Sequence, residues 1–280
     1  MRVTLWGTRG SMATPGPETA RYGGNTSCVG VLGREGTVLV LDAGTGIRRL
    51  AASLDASVRR VDVLLTHLHM DHIQGLGFFA PLYRPGVEVR IWGPASSKLT
   101  LRERLMRYLS PPLFPVCLRE LPSTITLHEV PCGDVDVGEF RISSALVCHP
   151  GPTVGYRIVD GRGRVLTYLP DHEPALGALS FPSLPRAWTS GAMLAADADL
   201  LIHDSQYDAH EYRGHVGWGH SSLAQSLAFG TLAQVKHLVP FHHDPGHSDA
   251  DLDRLMAEAI AEAKPDYRVT PGQEGATFEL

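Results

Sequence analysis

One six-residue segment restricts the possible folds of this chain more than any other, because it carries four potential metal ligands: His67-Leu68-His69-Met70-Asp71-His72. An apolar run over residues 61–66 predicts a strand directly before it, and a helical pattern follows it. In an extended backbone, alternate residues face the same side, so His67 and His69 project together. Asp71 and His72, at the turn into the helix, can point to a second position. The segment therefore predicts two adjacent metal positions.

The ligand types indicate which metals fit. Imidazole and carboxylate groups suit zinc, manganese or iron in dinuclear sites, and the lack of thiolates argues against a structural zinc site. We expect two divalent cations, zinc in the first place. The chain has four cysteines, Cys28, Cys117, Cys132 and Cys148, and no two of them form a Cys-x-x-Cys motif. Such scattered cysteines are typical of free thiols in a reducing compartment. No apolar run is long enough for a membrane span, so we expect a cytoplasmic protein without a membrane partner.

The 280 residues fit one α/β domain. Strand and helix patterns mix throughout, and no linker of different composition divides them. We predict a single domain over residues 1–280, built of two similar halves. The predicted strands are 2–8, 27–33, 37–42, 61–66, 87–92, 125–130, 140–146, 154–159, 165–169, 200–203, 236–241 and 276–280. The predicted helices are 47–54, 73–79, 98–109, 221–232 and 248–263, and an irregular stretch reaches to about residue 190.

The motif H-x-H-x-D-H, followed by a later His, a later Asp and a last His, resembles the metallo-β-lactamase superfamily of metallohydrolases. The resemblance covers nearly the whole chain and implies a four-layer αββα sandwich with a dinuclear site at one edge of its two sheets. It implies that the first metal is held by His67, His69 and His149. The second is held by Asp71, His72 and His242, and Asp171 bridges the two.

Some neighbours of these ligands are also assigned by the resemblance. Asp42, in Leu41-Asp42-Ala43-Gly44, corresponds to an Asp that supports a ligand histidine. The last ligand has two candidates, since His242 and His243 are adjacent; counting from the preceding apolar run favours His242 and leaves His243 as a supporting residue. The proline before Asp171 departs from the family, in which glycine is usual.

Two further segments resemble the phosphodiesterase branch of this superfamily, which includes ribonuclease Z and a cyclic phosphodiesterase. The first is Ile202-His203-Asp204-Ser205, where the branch has His-Glu, and the second is Gly217-Trp218-Gly219-His220-Ser221-Ser222. The branch implies that His220, oriented by Asp204, assists the leaving group. We also predict Asp71 as a third catalytic residue and His203 as a supporting residue. Asp is shorter than Glu, which weakens the correspondence at Asp204.

The opening loops resemble bacterial members of the same branch. They read Trp6-Gly7-Thr8-Arg9-Gly10-Ser11 and Tyr22-Gly23-Gly24-Asn25-Thr26-Ser27-Cys28. Glycine-rich loops let the backbone approach a ligand, and four polar side chains are candidate contacts to a phosphate or base: Arg9, Ser11, Asn25 and Thr26. Turn chemistry between two strands explains the same residues equally well.

Two cations that share a bridging water activate it for in-line attack on phosphorus. We therefore expect hydrolysis of a small phosphodiester, a cyclic nucleotide or other cyclic phosphate, by a metal-bridging hydroxide with His220 as general acid. Cleavage of tRNA at its 3′ side is the nearest rival. The net charge of −5 and the 22 positions from His149 to Asp171, too few for a basic RNA-binding arm, speak against it and against a stable nucleic acid complex.

The same ligand set is compatible with two more functions. Hydrolysis of a carbon ester, lactone or thioester would leave the His-Asp and Gly-His-Ser segments without a role. A non-catalytic, metal-bound sensor would be expected to lose ligands, whereas all seven proposed ligands are present.

In the segment 108–121, the apolar residues Leu113 and Phe114 are set among three prolines. Such a stretch cannot belong to a regular central strand and needs a surface to cover. The segment could form a lid over the nucleobase of a substrate, a contact with a second subunit or a plain cover of the core. We favour a homodimer contact which also borders the substrate pocket, with Phe114 taking part in it.

Overall fold

Two mixed β-sheets form the centre of the computed structural model, which describes residues 1–130, 133–177 and 185–280. The first sheet contains β1 (Arg2–Gly7), β2 (Cys28–Leu32), β3 (Val38–Leu41), β4 (Arg60–Leu64), β5 (Glu88–Pro94), β6 (Thr124–Val130) and β14 (Thr277–Glu279). The second contains β7 (Gly133–Val137), β8 (Phe140–Leu146), β9 (Val154–Val159), β10 (Val165–Leu169), β11 (Leu200–Asp204), β12 (His237–Phe241) and β13 (Arg268–Val269).

The α-helices of the described residues lie between these strands in the chain. They are α1 (Ile47–Ser53), α2 (Met70–Ile73), α3 (Leu101–Met106), α4 (Ala192–Ala195), α5 (Ala209–Gly214), α6 (Leu223–Ala233) and α7 (Asp249–Ala263). None of them combines the length with the apolar composition that crossing a membrane requires.

The two sheets repeat one topology. Their strand orders are β14-β1-β2-β3-β4-β5-β6 and β13-β12-β11-β10-β9-β8-β7. Strands β3 to β6 are parallel in the first sheet, and β10 to β13 are parallel in the second. Loops that leave the carboxyl ends of parallel strands meet at one edge of a sheet, and ligand sites form there in open α/β sheets.

The described residues form three large apolar clusters and one small one. Inward-facing residues of both sheets form the central layer, for example Leu41 and Leu64 of the first sheet with Tyr168 and Phe241 of the second. A second cluster fills the space between the first sheet, α1 and α3, and a third lies between the second sheet, α4 and α6. This is the predicted four-layer αββα sandwich.

Most predicted strands agree with the structure to within two residues, and 140–146, 154–159 and 165–169 are reproduced. The predicted helix over 73–79 is wrong: α2 begins at Met70, and only a 3₁₀ turn over Leu76–Phe78 follows it. The helix predicted over 98–109 is shorter in the structure, where α3 covers Leu101–Met106. It begins at Leu101 because Thr100 and Glu103 form a capping box there. The elements β7, β13, α4 and α5 were missed, and the irregular stretch lies partly outside the described residues, as does Cys132.

Phe114 does not lie on an outer surface. It is 5% exposed and belongs to the apolar cluster beneath the first sheet, with its ring against Phe78 and Tyr108. A Cβ atom on Gly77 would collide with this ring. The prediction that Phe114 makes a subunit contact is therefore wrong, because the chain's own core takes up the side chain. Its neighbour Leu113 is 68% exposed.

This burial predicts the effect of Phe114→Ser. The variant leaves a cavity and a buried hydroxyl, so we expect it to lose about 3–5 kcal/mol of unfolding free energy. Leu113→Ser is the matched control and should stay within about 0.5 kcal/mol of the wild type. Urea denaturation followed by circular dichroism measures both. If Phe114→Ser had wild-type stability and a lower mass in light scattering, the prediction of a subunit contact would hold after all.

Candidate metal centre

Loops from both sheets bring seven candidate ligands to one edge of the sandwich. The chain leaves β4 and runs through the H-x-H-x-D-H segment into α2. His149 follows β8, Asp171 follows β10, and His242 comes directly after β12. These positions are far apart in sequence and meet only because the two sheets face each other.

The ligand atoms fall into two groups that share one residue. The first group is His67, His69, His149 and Asp171, and the second is Asp71, His72, Asp171 and His242; within each group the ligand atoms lie within 4.8 Å of one another. Both groups agree with the sets expected from the resemblance, and Asp171 belongs to both.

The two oxygens of Asp171 face different groups. Its Oδ1 lies 2.8 Å from Nε2 of His72 and 3.2 Å from Nε2 of His242. Its Oδ2 lies 3.6 Å from Nε2 of His67 and 3.7 Å from Nε2 of His149. A carboxylate placed in this way can bridge two cations.

Hydrogen bonds behind the rings fix which nitrogen faces the centre. Nδ1 of His149 donates to the carbonyl oxygen of Gly219 at 2.8 Å. Nδ1 of His72 lies 2.8 Å from the carboxylate of Asp42, and Nδ1 of His242 lies 3.0 Å from Oε1 of Gln206. Each acceptor holds the proton on Nδ1, so each Nε2 presents its lone pair to the centre.

His67 follows the same logic through one more residue. The hydroxyl of Thr66 donates to the carboxylate of Asp42, so its oxygen is left to accept from Nδ1 of His67, 3.1 Å away. Nε2 of His67 is buried and has no hydrogen-bond partner. A buried lone pair without a donor is what a cation would satisfy, so the residues present fit two divalent metal ions.

The protonation of the centre suits cation binding. Burial lowers the pKa of His67 and of His149, which favours the neutral imidazole that metals bind. Burial opposes ionisation of Asp171, yet the surrounding histidines hold the pKa of its carboxyl well below the usual range. The first ligand group thus combines neutral rings with an ionised bridge. Burial lowers the pKa of His72 in the second group, but the carboxylates of Asp171, Asp71 and Asp42 outweigh it and raise this pKa well above its usual range.

His220 and Asp204 form a pair beside the second group. Nδ1 of His220 lies 2.7 Å from Oδ2 of Asp204, and its ring stacks on His242 with 5.0 Å between centroids. Burial lowers the pKa of His220, but the charge and hydrogen bond of Asp204 outweigh it and raise this pKa to about 9. The backbone amides of His172, Gln206 and Ser221 donate to Asp204 and fix its carboxylate.

The candidate substrate contacts separate into two sets. Ser11 lies at the centre, where its amide donates to Oδ2 of Asp71 at 2.8 Å. Arg9 is instead taken up by the fold, because its buried guanidinium donates to the carbonyl oxygens of Gly23, Asp244 and His247.

Asn25 and Thr26 are likewise taken up by the fold. Asn25 donates twice to Glu274, and Thr26 exchanges two hydrogen bonds with Thr45. These contacts fit turn chemistry between two strands, so Ser11 alone of the four is placed to meet a substrate.

His203 and His243, which were predicted as supporting residues, lie behind the centre. His243 turns away, with Nε2 donating to the carbonyl oxygen of Gly272, whereas His242 adopts a positive φ of 61° that directs its ring inward. His203 is buried between Ser226 and His172. Of the adjacent pair, His242 therefore reaches the ligands.

Sequence reasoning missed two residues that shape the centre. Gln206 orients His242 and also lies 3.4 Å from the hydroxyl of Ser11. Glu173 is fully buried and binds the loop that precedes His220. Their only sequence signal is spacing, since each lies two residues after a carboxylate of the site, Asp204 or Asp171.

A cavity of about 340 Å³ opens beside the first ligand group. His67 and His69 form one wall, and the exposed Arg107 supplies a cation. Apolar side chains complete the lining, including Met70, Ile73, Tyr108 and Leu113. The segment 108–121 thus borders the pocket, as predicted, through Leu113 rather than Phe114.

Comparison with known proteins agrees with this geometry. Residues 37–243 match the family described as beta-lactamase superfamily domain. The ribonuclease Z of Haloarcula marismortui is 30% identical over an alignment of 303 positions, which spans 92% of this chain and 91% of that protein. The metallo-beta-lactamase fold protein YhfI from Bacillus subtilis superposes with a TM-score of 0.72 at 18% identity, covering 100% of this chain and 98% of that chain. A diphosphatase from the PhnP family gives a TM-score of 0.69 at 18% identity, covering 100% and 97%.

These matches confirm three predictions made from the motifs: the family, the sandwich fold and the hydrolase class. The family match covers strands β3 to β12 and the ligand positions from His67 to His242. The chain therefore belongs to the beta-lactamase superfamily domain family and is a metal-dependent hydrolase of the metallo-β-lactamase phosphodiesterase branch.

Proposed function

We propose that this hydrolase cleaves a small phosphodiester, a cyclic nucleotide or other cyclic phosphate, with His220 as the general acid. The observation that carries the proposal is the pairing of His220 with Asp204 next to two ligand groups bridged by Asp171. A thioester releases a thiolate, which departs without a proton, so such a substrate would leave this acid without a role.

The candidate ligands and their neighbours have defined roles. When bound, two divalent cations lower the pKa of a bound water and neutralise the oxygens of a phosphoryl centre. Asp71, Asp171 and the five histidines would hold them, and the amide of Ser11 fixes Asp71. His220 holds a proton on its ring, and Asp204 orients that ring towards the departing alkoxide. The proton transfer accelerates cleavage by about 10²–10⁴-fold.

The surroundings of the centre favour a small substrate over RNA. Residues 150–170, between the third histidine and Asp171, form the short hairpin of β9 and β10 and carry no arm. The cavity of about 340 Å³ lies at the lower end of the range for small-molecule sites. The net charge of −5 offers no general attraction to a polyanion.

RNA is the second candidate, because the relative from Haloarcula marismortui is named ribonuclease Z. Zinc as the native metal and a homodimer as the assembly are further parts of the proposal. Elemental analysis of the purified protein and light scattering measure them.

A substrate panel tests the function. Protein loaded with zinc or manganese is assayed on cyclic nucleotides, dinucleotides, a precursor tRNA, p-nitrophenyl acetate and a thioester, with chelator-treated protein as the control. We expect the highest kcat/KM on a cyclic or short diester. Cleavage confined to the tRNA would make the chain a ribonuclease, and turnover of the acetate or thioester alone would exclude phosphodiester chemistry. Inactivity on the whole panel would favour a metal-bound sensor.

A further inference from the structure

A buried carboxylate holds the loop that precedes His220. Oε1 of Glu173 accepts from the hydroxyl of Tyr212 at 2.7 Å, and Oε2 accepts from the amides of Gly217 and Gly219 at 3.0 and 2.9 Å. Both glycines have a φ of +87°, a backbone conformation that residues with a side chain rarely adopt. The loop is therefore fixed from the inside, and its shape does not depend on a ligand.

This loop presents a large aromatic side chain to solvent. Trp218 lies between the two glycines and is 60% exposed. Its ring meets the ring of His215 edge-on, with 4.7 Å between centroids. His215 stacks on Tyr207 at 4.6 Å, and Tyr207 contacts His220 at 6.0 Å. A continuous row of rings thus leads from the exposed indole to the proposed acid.

The position of Trp218 fits the leaving group of the substrate. It lies two residues before His220, and the next residue, Gly219, accepts the hydrogen bond that orients His149. An exposed indole on a rigid loop offers a flat apolar face at little conformational cost. Nucleobases stack on such faces whatever their sequence, because every base has an aromatic face.

We propose that Trp218 is a stacking platform for the base of a nucleotide substrate, on the side of the leaving group that His220 protonates. This inference rests on the proposed phosphodiesterase function and narrows the substrate to a diester that carries a nucleobase. Stacking contributes equally to the bound substrate and to its transition state, so it acts on KM and leaves kcat unchanged.

Trp218→Ala tests the platform with a matched pair of substrates, a nucleoside 2′,3′-cyclic phosphate and the same ribose cyclic phosphate without a base. We expect KM for the nucleotide to rise about tenfold, with kcat changed by less than about twofold and KM for the base-free compound unchanged. Trp218→Phe should restore most of the affinity. Trp188→Ala, which removes an 84% exposed tryptophan in a separate depression with Ala145 and Met193, should behave as the wild type.

Direct binding separates this inference from the proposed function. Calorimetry with a nucleoside monophosphate should show the same tenfold loss in Trp218→Ala, even if the wild type hydrolyses none of the diesters. Equal effects on both substrates, or a fall in kcat alone, would show that the variant distorts the loop and would overturn the platform. A lower mass of Trp218→Ala in light scattering would assign the indole to a subunit contact instead.

Discussion

Asp171→Ala is expected to abolish phosphodiester hydrolysis and to reduce the bound metal below two ions per chain. The variant removes a carboxylate whose two oxygens face different ligand groups, so the remaining ligands cannot hold both cations together. The site then loses several kcal/mol of transition-state stabilisation, which corresponds to a fall in kcat of about 10³-fold or more. Elemental analysis and kinetics on bis-p-nitrophenyl phosphate measure the two effects. His69→Ala should give a similar result, because His69 is one of the three histidines of the first ligand group and its loss leaves that group incomplete.

Asp199→Asn is the matched control for this experiment. Asp199 is also a buried aspartate of the second sheet, but it precedes β11 and binds Arg164 and Lys236 at the opposite edge. The control should keep two ions and wild-type kcat. Full activity in Asp171→Ala, or two tightly bound ions in that variant, would contradict the bridging role.

The local part of this centre could be predicted from the sequence, since four ligands lie within six residues and periodicity alone places His67 and His69 together. The predicted strands were also reliable where apolar runs are bounded by glycine or charge. The helix predicted over 73–79 failed, because the α-helical turn comes earlier, at Met70–Ile73, where it carries Asp71 and His72 into the site. Only a 3₁₀ turn over Leu76–Phe78 follows it.

Contacts across the fold could not be predicted in the same way. Arg9 has the residue type of a phosphate ligand, yet its three carbonyl partners lie up to 238 positions away in the chain. Counting from the preceding apolar run favoured His242 over His243, but the positive φ that directs the ring of His242 inward has no visible pattern in the sequence. Glu173 was missed because its partners are backbone amides of a distant loop.

His220→Ala is expected to lower kcat in proportion to how poor the leaving group is. A ribose alkoxide needs a proton to depart, so its hydrolysis should fall by about 10²–10⁴-fold. p-Nitrophenolate departs without a proton, so its release should change little. Metal content should stay at the wild-type value, because Nδ1 of His220 is bound to Asp204. His237→Ala, which removes a histidine at the start of β12, is the control for both readings.

Asp204→Asn distinguishes general acid catalysis from a simple loss of structure. The carboxylate of Asp204 raises the pKa of His220 and orients its ring, so the single variant should show the same dependence on the leaving group with a smaller loss. Residues that act as one unit are not additive, and the double variant should therefore be no slower than His220→Ala alone. Additive losses, or equal losses for the alkoxide and for p-nitrophenolate, would mean that His220 does not deliver the proton. A metal ion lost from His220→Ala would instead make His220 a ligand, in line with its place beside His242.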